Sequence, residues 1–319
     1  MHDIDADGTN YPGTHLIETL KRVRPEEVLS IQQQFESAPR PSKPTLLELR
    51  ILGASASVRS PAHDTVGDAG VDLDVLDQWS ADSITGPGET PLRTSMGSLV
   101  GRDIMLRRGL RVSTKVVALL MHNCPAQRSP GWYLQRLGFI TASESAAVLG
   151  DNKYQTSDEL LDFKIKNLSI PDNHAMAHGR GYEDECLELF VEMTKIPCFG
   201  LGLITDPASG LGASVDAITY DGRIVEIKCP MNRWIRKGLI PKAYRPQMQQ
   251  QAFVVEAQAG IKNRDVFFVE YKPPCLGEPT LSVQLMKVDD AWYASHKPTL
   301  DTFLKKLRRG RGKQDAKRL

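Results

Sequence analysis

An α/β architecture, with a central mixed sheet flanked by helices behind a small β-rich N-terminal domain, is predicted by three features of this 319-residue chain. From residue 131 to about 304, helical and strand periodicities alternate. Two strand patterns there abut through a single Asp-Gly turn, and the helical patterns carry their own start signals. From Thr45 to about Val117, by contrast, short apolar runs are broken by Gly, Pro and Ser, as in strands joined by tight turns.

In chain order, residues 1–44 mix Pro, Ser and charge, and only Leu16–Phe35 has an amphipathic helical pattern, so they are read as an N-terminal extension. Residues 45–122 form the β-rich region, and Cys-Pro-Ala-Gln-Arg-Ser-Pro-Gly, ending at Gly131, is a linker marking a domain boundary. Thr156-Ser157-Asp158-Glu159 is a capping box that opens a helix through about Asn167. Tyr182, Cys186, Leu189, Phe190 and Met193 recur at helical spacing and define a core face. Strand patterns follow at Gly212–Thr219 and Arg223–Cys229. A helix from Pro246 to about Ala257 and a strand at Val266–Tyr271 complete the predicted core. Residues 305–319 hold eight basic side chains against Asp315 alone and read as a solvated basic tail, suited to nuclear import or DNA tethering.

Composition narrows the function classes. No apolar run reaches the roughly 18 residues of a membrane span, and the acidic opening Met-His-Asp-Ile-Asp-Ala-Asp is unlike a secretory signal. A soluble, intracellular protein is expected. The five cysteines are odd in number and contain no Cys-x-x-Cys pair, which argues against a disulfide framework, a zinc ribbon or an iron–sulfur clamp. Residues 1–95 carry 15 acidic and 8 basic side chains, so any contact with a phosphate backbone is expected further along.

The segment Asp216-Ala-Ile-Thr-Tyr-Asp-Gly-Arg-Ile-Val-Glu226-Ile-Lys228 carries the chemistry. On a strand, Glu226 and Lys228 share one face while Val225, Ile227 and Cys229 share the other. A three-residue loop Tyr220-Asp221-Gly222 places Asp216 opposite Glu226, whereas a two-residue loop sends Asp216 to the opposite face. In the first case the paired carboxylates repel unless a cation lies between them, and hard oxygen donors favour Mg²⁺, with Mn²⁺ as substitute, over Zn²⁺. With a lysine beside them, such a pair suits phosphodiester hydrolysis. Asp206 lies ten residues before Asp216.

Further motifs occur in order: Trp132-Tyr-Leu-Gln-Arg136-Leu-Gly138-Phe-Ile-Thr141-Ala-Ser143-Glu144, Gly179-Arg-Gly-Tyr182-Glu183, Ser214-Val-Asp216, Glu226-Ile-Lys228-Cys229-Pro230 and Gln247-Met-Gln249. Over roughly residues 130–300 the chain thereby resembles the lambda-type exonuclease, or YqaJ-like viral recombinase, family of the PD-(D/E)XK nuclease superfamily. The resemblance implies a restriction-endonuclease-like core and a Mg²⁺-dependent 5′ to 3′ exonuclease acting on linear double-stranded DNA ends. It assigns metal ligation to Asp216, Glu226, the carbonyl of Ile227 and Glu183. Lys228 and Gln247 would attend the attacking water, Arg136 and Ser143 the terminal 5′-phosphate, and Asp206 would be an accessory acid. It further implies a homotrimer, a single-strand-annealing partner and a role in recombination or repair, in host cytoplasm or nucleus if viral. Val215 and Ala217 depart from the Pro or Gly that the family often has around its first acid.

Arg233, Arg236 and Lys237, around Trp234, are candidate DNA contacts just past the catalytic strand. His174 and His178 are read as surface polar residues in a loop, Cys186 and Cys229 as small core residues, and Trp132 as a packing residue. A weaker resemblance runs through Asp68-Ala69-Gly70-Val-Asp72-Leu73, Pro87-Gly88-Glu89, Thr94 and Leu106-Arg107-Arg108-Gly109-Leu110, which is similar to a truncated dUTPase-type barrel without its later motifs. No dUTP hydrolysis is expected. Two competing readings are a structure-specific endonuclease acting on DNA or RNA and a non-catalytic DNA-end-binding factor.

Overall fold

Residues 50–52, 68–73, 99–121, 124–168 and 173–315 are described by a computed structural model. The first of these segments are β1 (Arg50–Leu52), β2 (Leu99–Val100), α1 (Arg102–Arg108) and α2 (Thr114–Met121). Next come α3 (Pro130–Arg136), β3 (Ile140–Thr141), a 3-10 turn Ala142–Glu144 and α4 (Ser145–Leu149). The helices α5 (Ser157–Lys166) and α6 (His174–Thr194) lead into β4 (Cys198–Phe199), β5 (Leu203–Asp206), β6 (Leu211–Ser214), β7 (Ala217–Thr219) and β8 (Ile224–Lys228). The chain continues through α7 (Arg245–Ala259), β9 (Asp265–Lys272), β10 (Thr280–Lys287) and α8 (Trp292–Asp315).

Local chemistry sets the helix ends. The Ser129 hydroxyl accepts from Trp132 N at the start of α3, with Pro130 in the first turn. Thr156 and Glu159 close the capping box of α5, and Asn167 ends that helix in the left-handed region. Asn173 caps α6, and Gly260 terminates α7.

The principal sheet has the order β1-β10-β9-β8-β7-β4-β2, and a smaller one the order β3-β6-β5. The larger sheet is mixed: β8 runs parallel to β9 and β1 to β10, and the other pairings are antiparallel. Its central strands are buried on both sides, so they read as continuous apolar runs. Phe267 packs with Phe190 of α6 on one face, while its neighbour Phe268 belongs to the core on the other face, which also holds Met248 of α7 and Phe303 of α8. Both phenylalanines are fully buried, worth about 1.5–3 kcal/mol each relative to exposure.

The expected β-rich domain is different where it is described. Residues 102–108 and 114–121 are helices, and Met105, Val116, Val117, Leu119 and Leu120 belong to the same core as Ile224 and Val255. Their i, i+3, i+4 apolar spacing forms a helical stripe. Gly101 and Gly109, read as strand turns, are instead the caps of α1, both in the left-handed region. Asp68, first residue of the dUTPase-like motif, accepts hydrogen bonds from Gly70 N, Ser113 Oγ and Thr114 N and so ties the start of α2. The Leu106–Leu110 motif lies on α1 and its cap. Residues 1–44, with Pro87, Gly88, Glu89 and Thr94, lie outside the described residues. The basic run is also not a separate tail up to residue 315, because residues 305–315 continue α8.

The β7–β8 hairpin sets the position of the candidate site. Ala217 pairs with Val225 and Ile218 with Ile224, and Thr219 N donates to Arg223 O. The loop is therefore Tyr220-Asp221-Gly222, with Gly222 at φ 98° and its N–H on Thr219 O. Continuing the register puts Asp216 opposite Glu226, despite Val215 and Ala217. A side chain at Gly222 would be strained and tight against Ile261. Gly222→Ala should destabilise the fold by about 1–3 kcal/mol, measured as a lower urea midpoint with an unchanged slope.

Candidate active site

Glu226 lies on the central strand with no solvent exposure, and an unpaired buried carboxylate would neutralise or cost several kcal/mol (~3–5). Three side chains meet it. Lys228 Nζ and Gln247 Nε2 both donate to Oε1, the latter at 2.5 Å, and Gln251 Nε2 donates to Oε2 at 2.5 Å. Gln247 and Gln251 are one turn apart on α7, so a single helix face supplies both amides. Lys228 lies 5.4 Å from the Tyr244 ring centroid. Burial opposes the charge on Lys228, but Glu226 and Asp216 outweigh it and push the pKa of the ammonium up. Lys228 is accordingly a hydrogen-bond donor to Glu226.

Asp216 sits across the hairpin, its Oδ2 accepting from Ile227 N at 2.6 Å. Burial pushes its carboxyl pKa well up, the charges of Glu226 and Glu183 add to that, and Lys228 and the Ile227 amide only partly oppose it. Glu183, on α6, is paired with Arg128 at 2.6 Å. A cavity of about 230 Å³ is bounded by Gln127, Arg128, Glu183, Leu201, Asp216 and Ile227. The supposed linker is thus a wall of this cavity: Gln127 Nε2 donates to Leu201 O and Val215 O, both at 3.1 Å, and secures the strand leading to Asp216.

Among the described residues, no three His, Cys, Asp or Glu side chains have metal-holding spacing. The donor chemistry nevertheless fits a hard divalent ion. Glu226 and Glu183 both act electrostatically on Asp216, the cavity edge is formed by Asp216, Glu183 and Ile227, and a cation there would relieve the repulsion that raises the Asp216 pKa.

A second constellation lies on α3 and the 3-10 turn. Arg136 Nη2 donates to Ser143 Oγ at 3.2 Å, stands 3.6 Å from Glu144 and covers the Trp132 ring at 4.2 Å. Trp132 also donates through Nε1 to Ser214 Oγ at 2.9 Å. The Glu144 carboxylate is grasped by Lys164 of α5 at 2.7 Å, and Lys164 donates to Arg136 O at 2.8 Å. Arg136 is therefore pre-positioned, while Ser143 is exposed.

Several candidates lie elsewhere. Asp206 is buried in the β5–β6 turn, accepting from Ser209 N and Gln258 Nε2. Gln258 is seven residues beyond Gln251 on α7, about 10 Å along the axis, so Asp206 is remote from Glu226 and serves the turn. Arg233 faces inward onto buried Glu270 and the Tyr244 ring, because a buried carboxylate on the central sheet needs a cation. Arg236 and Lys237 are exposed beside Trp234, which is 75% exposed with Lys272 Nζ 4.2 Å from its ring centroid. His174 and His178 belong to α6 rather than a loop. His178 is buried against Tyr182, and burial pushes its pKa down. Cys186 and Cys229 are buried core residues. Gln251, Arg128, Gln127 and Glu270 are functional neighbours that sequence reasoning missed. Only Gln251, at i+4 from Gln247, carried a usable signal.

Residues 131–258 match the family model of the YqaJ-like viral recombinase domain. The chain is similar to the crystal structure of an alkaline exonuclease from Laribacter hongkongensis, with 27% identity, 59% of this chain and 97% of that chain covered, and a TM-score of 0.49. The same enzyme in complex with dAMP matches at 28% identity over 59% and 97% of the two chains, with a TM-score of 0.48. A phage related exonuclease from Haemophilus somnus 129PT matches at 11% identity over 57% and 96%, with a TM-score of 0.41. No curated protein matches the chain.

The Glu144–Lys164 pair gives a stability prediction. Burial raises the Glu144 pKa, but Lys164 and Arg136 outweigh it and the net shift is downward, whereas burial pulls the Lys164 pKa down despite Glu144. A carboxyl whose pKa is depressed on folding stabilises the protein above its unfolded value of about 4.5 and loses that contribution as pH falls through the folded value. Glu144→Gln should therefore cost about 3 kcal/mol near neutrality, where it strands Lys164, with the difference from wild type shrinking below pH 4.5 in denaturation curves taken across pH.

Proposed function

We propose that this protein, whose residues 131–258 match the YqaJ-like viral recombinase domain, is a Mg²⁺-dependent exodeoxyribonuclease, with Mn²⁺ as substitute. It degrades linear double-stranded DNA from 5′ ends and leaves 3′ strands for recombination or repair. The observation that carries this reading is the three-residue hairpin loop, which sets Asp216 across from Glu226 with Lys228 beside it.

Asp216, Glu226, the Ile227 carbonyl and Glu183 would hold the divalent ion, which supplies Lewis-acid polarisation of a phosphoryl oxygen and acidifies a water. The chain's own residues do the rest. Lys228, kept protonated, orients the attacking water through its N–H groups and offsets negative charge that grows on the phosphate oxygens. Gln247 and Gln251 hold Glu226 in one rotamer, and Gln247 reaches the same oxygen as Lys228. Arg136 and Ser143 offer a guanidinium and a hydroxyl to a terminal 5′-phosphate, the guanidinium held by Glu144 and Trp132. Arg236 and Lys237 are cations for the backbone beyond the scissile bond. A homotrimer threaded by DNA, and a single-strand-annealing partner to receive the 3′ strand, extend this reading. Among the described residues, no helix is long and apolar enough to cross a membrane.

Incubation with Mg²⁺ and end-labelled DNA tests the reading. A linear duplex with a 5′-phosphate should lose its 5′-labelled strand, the same duplex with a 5′-hydroxyl should react more slowly, and a closed circle should survive. Circle cleavage would establish an endonuclease, and inertness toward every DNA would leave an end-binding factor. Lys228→Gln should lower turnover by about two to three orders of magnitude, as loss of a positioned transition-state donor does, and should also lower the melting temperature because buried Glu226 loses its cation. A loss of turnover measured well below that melting temperature, on protein with a wild-type circular dichroism spectrum, separates the two effects. Arg136→Gln should erase the preference for the 5′-phosphate while sparing residual cleavage of the 5′-hydroxyl duplex.

A further inference from the structure

The C-terminal half of α8 has a charge pattern that helix stability does not explain. Between residues 302 and 314 the chain has no acid and six basic residues, namely Lys305, Lys306, Arg308, Arg309, Arg311 and Lys313. Leu300, Phe303, Leu304 and Leu307 bury the opposite stripe in the main core. Lys305, Arg309 and Lys313 are exposed at successive i, i+4 positions, with Lys306 and Arg308 exposed on either side. Like charges at that spacing destabilise a helix by a few tenths of a kcal/mol (~0.2–0.5) per pair. Gly310 and Gly312 weaken it further, by roughly 1 kcal/mol each relative to alanine. One of these glycines has a packing reason: a Cβ at Gly310 would lie 2.1 Å from Ile165 Cδ1, so α5 and α8 cross closely there.

That crossing leads to Arg136. Arg311 Nη1 donates to Lys164 O at 3.3 Å, and Lys164 Nζ donates in turn to Arg136 O at 2.8 Å. Two short links therefore join the basic helix to the constellation that includes Ser143. A polyanion lying along the exposed stripe, on the opposite side of α8 from Arg311, would remove the like-charge repulsion.

We infer that the Lys305–Arg309–Lys313 face of α8, on the side of the helix away from Arg311 and the core, is a docking surface for the phosphate backbone of duplex DNA. It grips the duplex apart from the end being processed. The inference rests on the proposed reading that a DNA end is received at the Arg136–Ser143 pocket. Its recognition is electrostatic and blind to sequence, since the helix offers cations and no built donor array for bases.

The test is duplex binding by the full chain, using a fluorescent linear duplex of random sequence with EDTA present, as a function of KCl concentration. Replacing Lys305, Arg309 and Lys313 together by Gln should reduce the magnitude of the slope of log K against log[KCl] by about 2–3, near 0.9 per lost phosphate contact. Affinity should fall accordingly at low salt. The melting temperature should be at or above wild type, because the substitutions remove repulsion and touch no core residue. Lys305→Arg with Lys313→Arg should keep the wild-type slope, as a charge-only role requires. A triple variant with wild-type slope and affinity overturns the docking surface and points to an acidic protein partner instead. Wild type that binds with the expected slope difference but cuts no DNA overturns the nuclease reading alone, and wild type that fails to bind duplex overturns both.

Discussion

The burial of one carboxylate organises this protein. Glu226 occupies the middle strand of a sheet covered on both faces, where an ionised group survives only if its oxygens are fully engaged. Its three donors come from two constraints: Lys228 from the alternation of its own strand, and Gln247 and Gln251 from consecutive turns of α7. Because both amides must reach the same carboxylate, the rotation of α7 against the sheet is set by polar chemistry as much as by Met248, Ala252 and Val255 packing beneath it. The same helix donates from Gln250 to Ile140 O and Gly212 O, which joins the small sheet to the large one. Loosening Glu226 would thus loosen the relation between the two sheets.

Much of this frame was legible in the sequence because local rules governed it. The α5 capping box, the α6 apolar stripe and the β7–β8 turn are decided by neighbours within a few residues; α5 and β8 lie within about two residues of their predicted ends, whereas α6 begins at His174, inside the expected loop, and the expected Gly212–Thr219 strand is two strands, β6 and β7, in different sheets. The decisive point was the loop length at Tyr220–Gly222, where one residue more or less would have reversed the face of Asp216. What was lost depended on distant partners. Residues 102–121 look like turn-broken strands until their apolar side chains are seen to share a core with Val255. Arg128 sits in a Pro-rich stretch with no periodicity, and only the arrival of Glu183 gives it a role. Arg233 shows the converse. Its neighbourhood of Arg, Trp and Lys suggests a DNA grip, yet Glu270, thirty-seven residues away, draws its guanidinium inward.

Charge balance in the cavity links the site to its substrate. Asp216, Glu226, Glu183 and the cavity-lining Asp184 set four carboxylates against two cations, Lys228 and Arg128. Counted as ionised, these groups leave an excess of negative charge, which would repel a phosphodiester. Burial and repulsion push the Asp216 pKa up and so work against its charge. On the proposed reading, a divalent ion would offset that excess, so that a phosphate would no longer be repelled. The facing carboxylates would then make approach of the phosphate conditional on the ion. Arg136 lies outside this cluster, clamped by Glu144 and Trp132. On the proposed reading, the pocket would therefore hold a DNA end independently of the ion in the cavity.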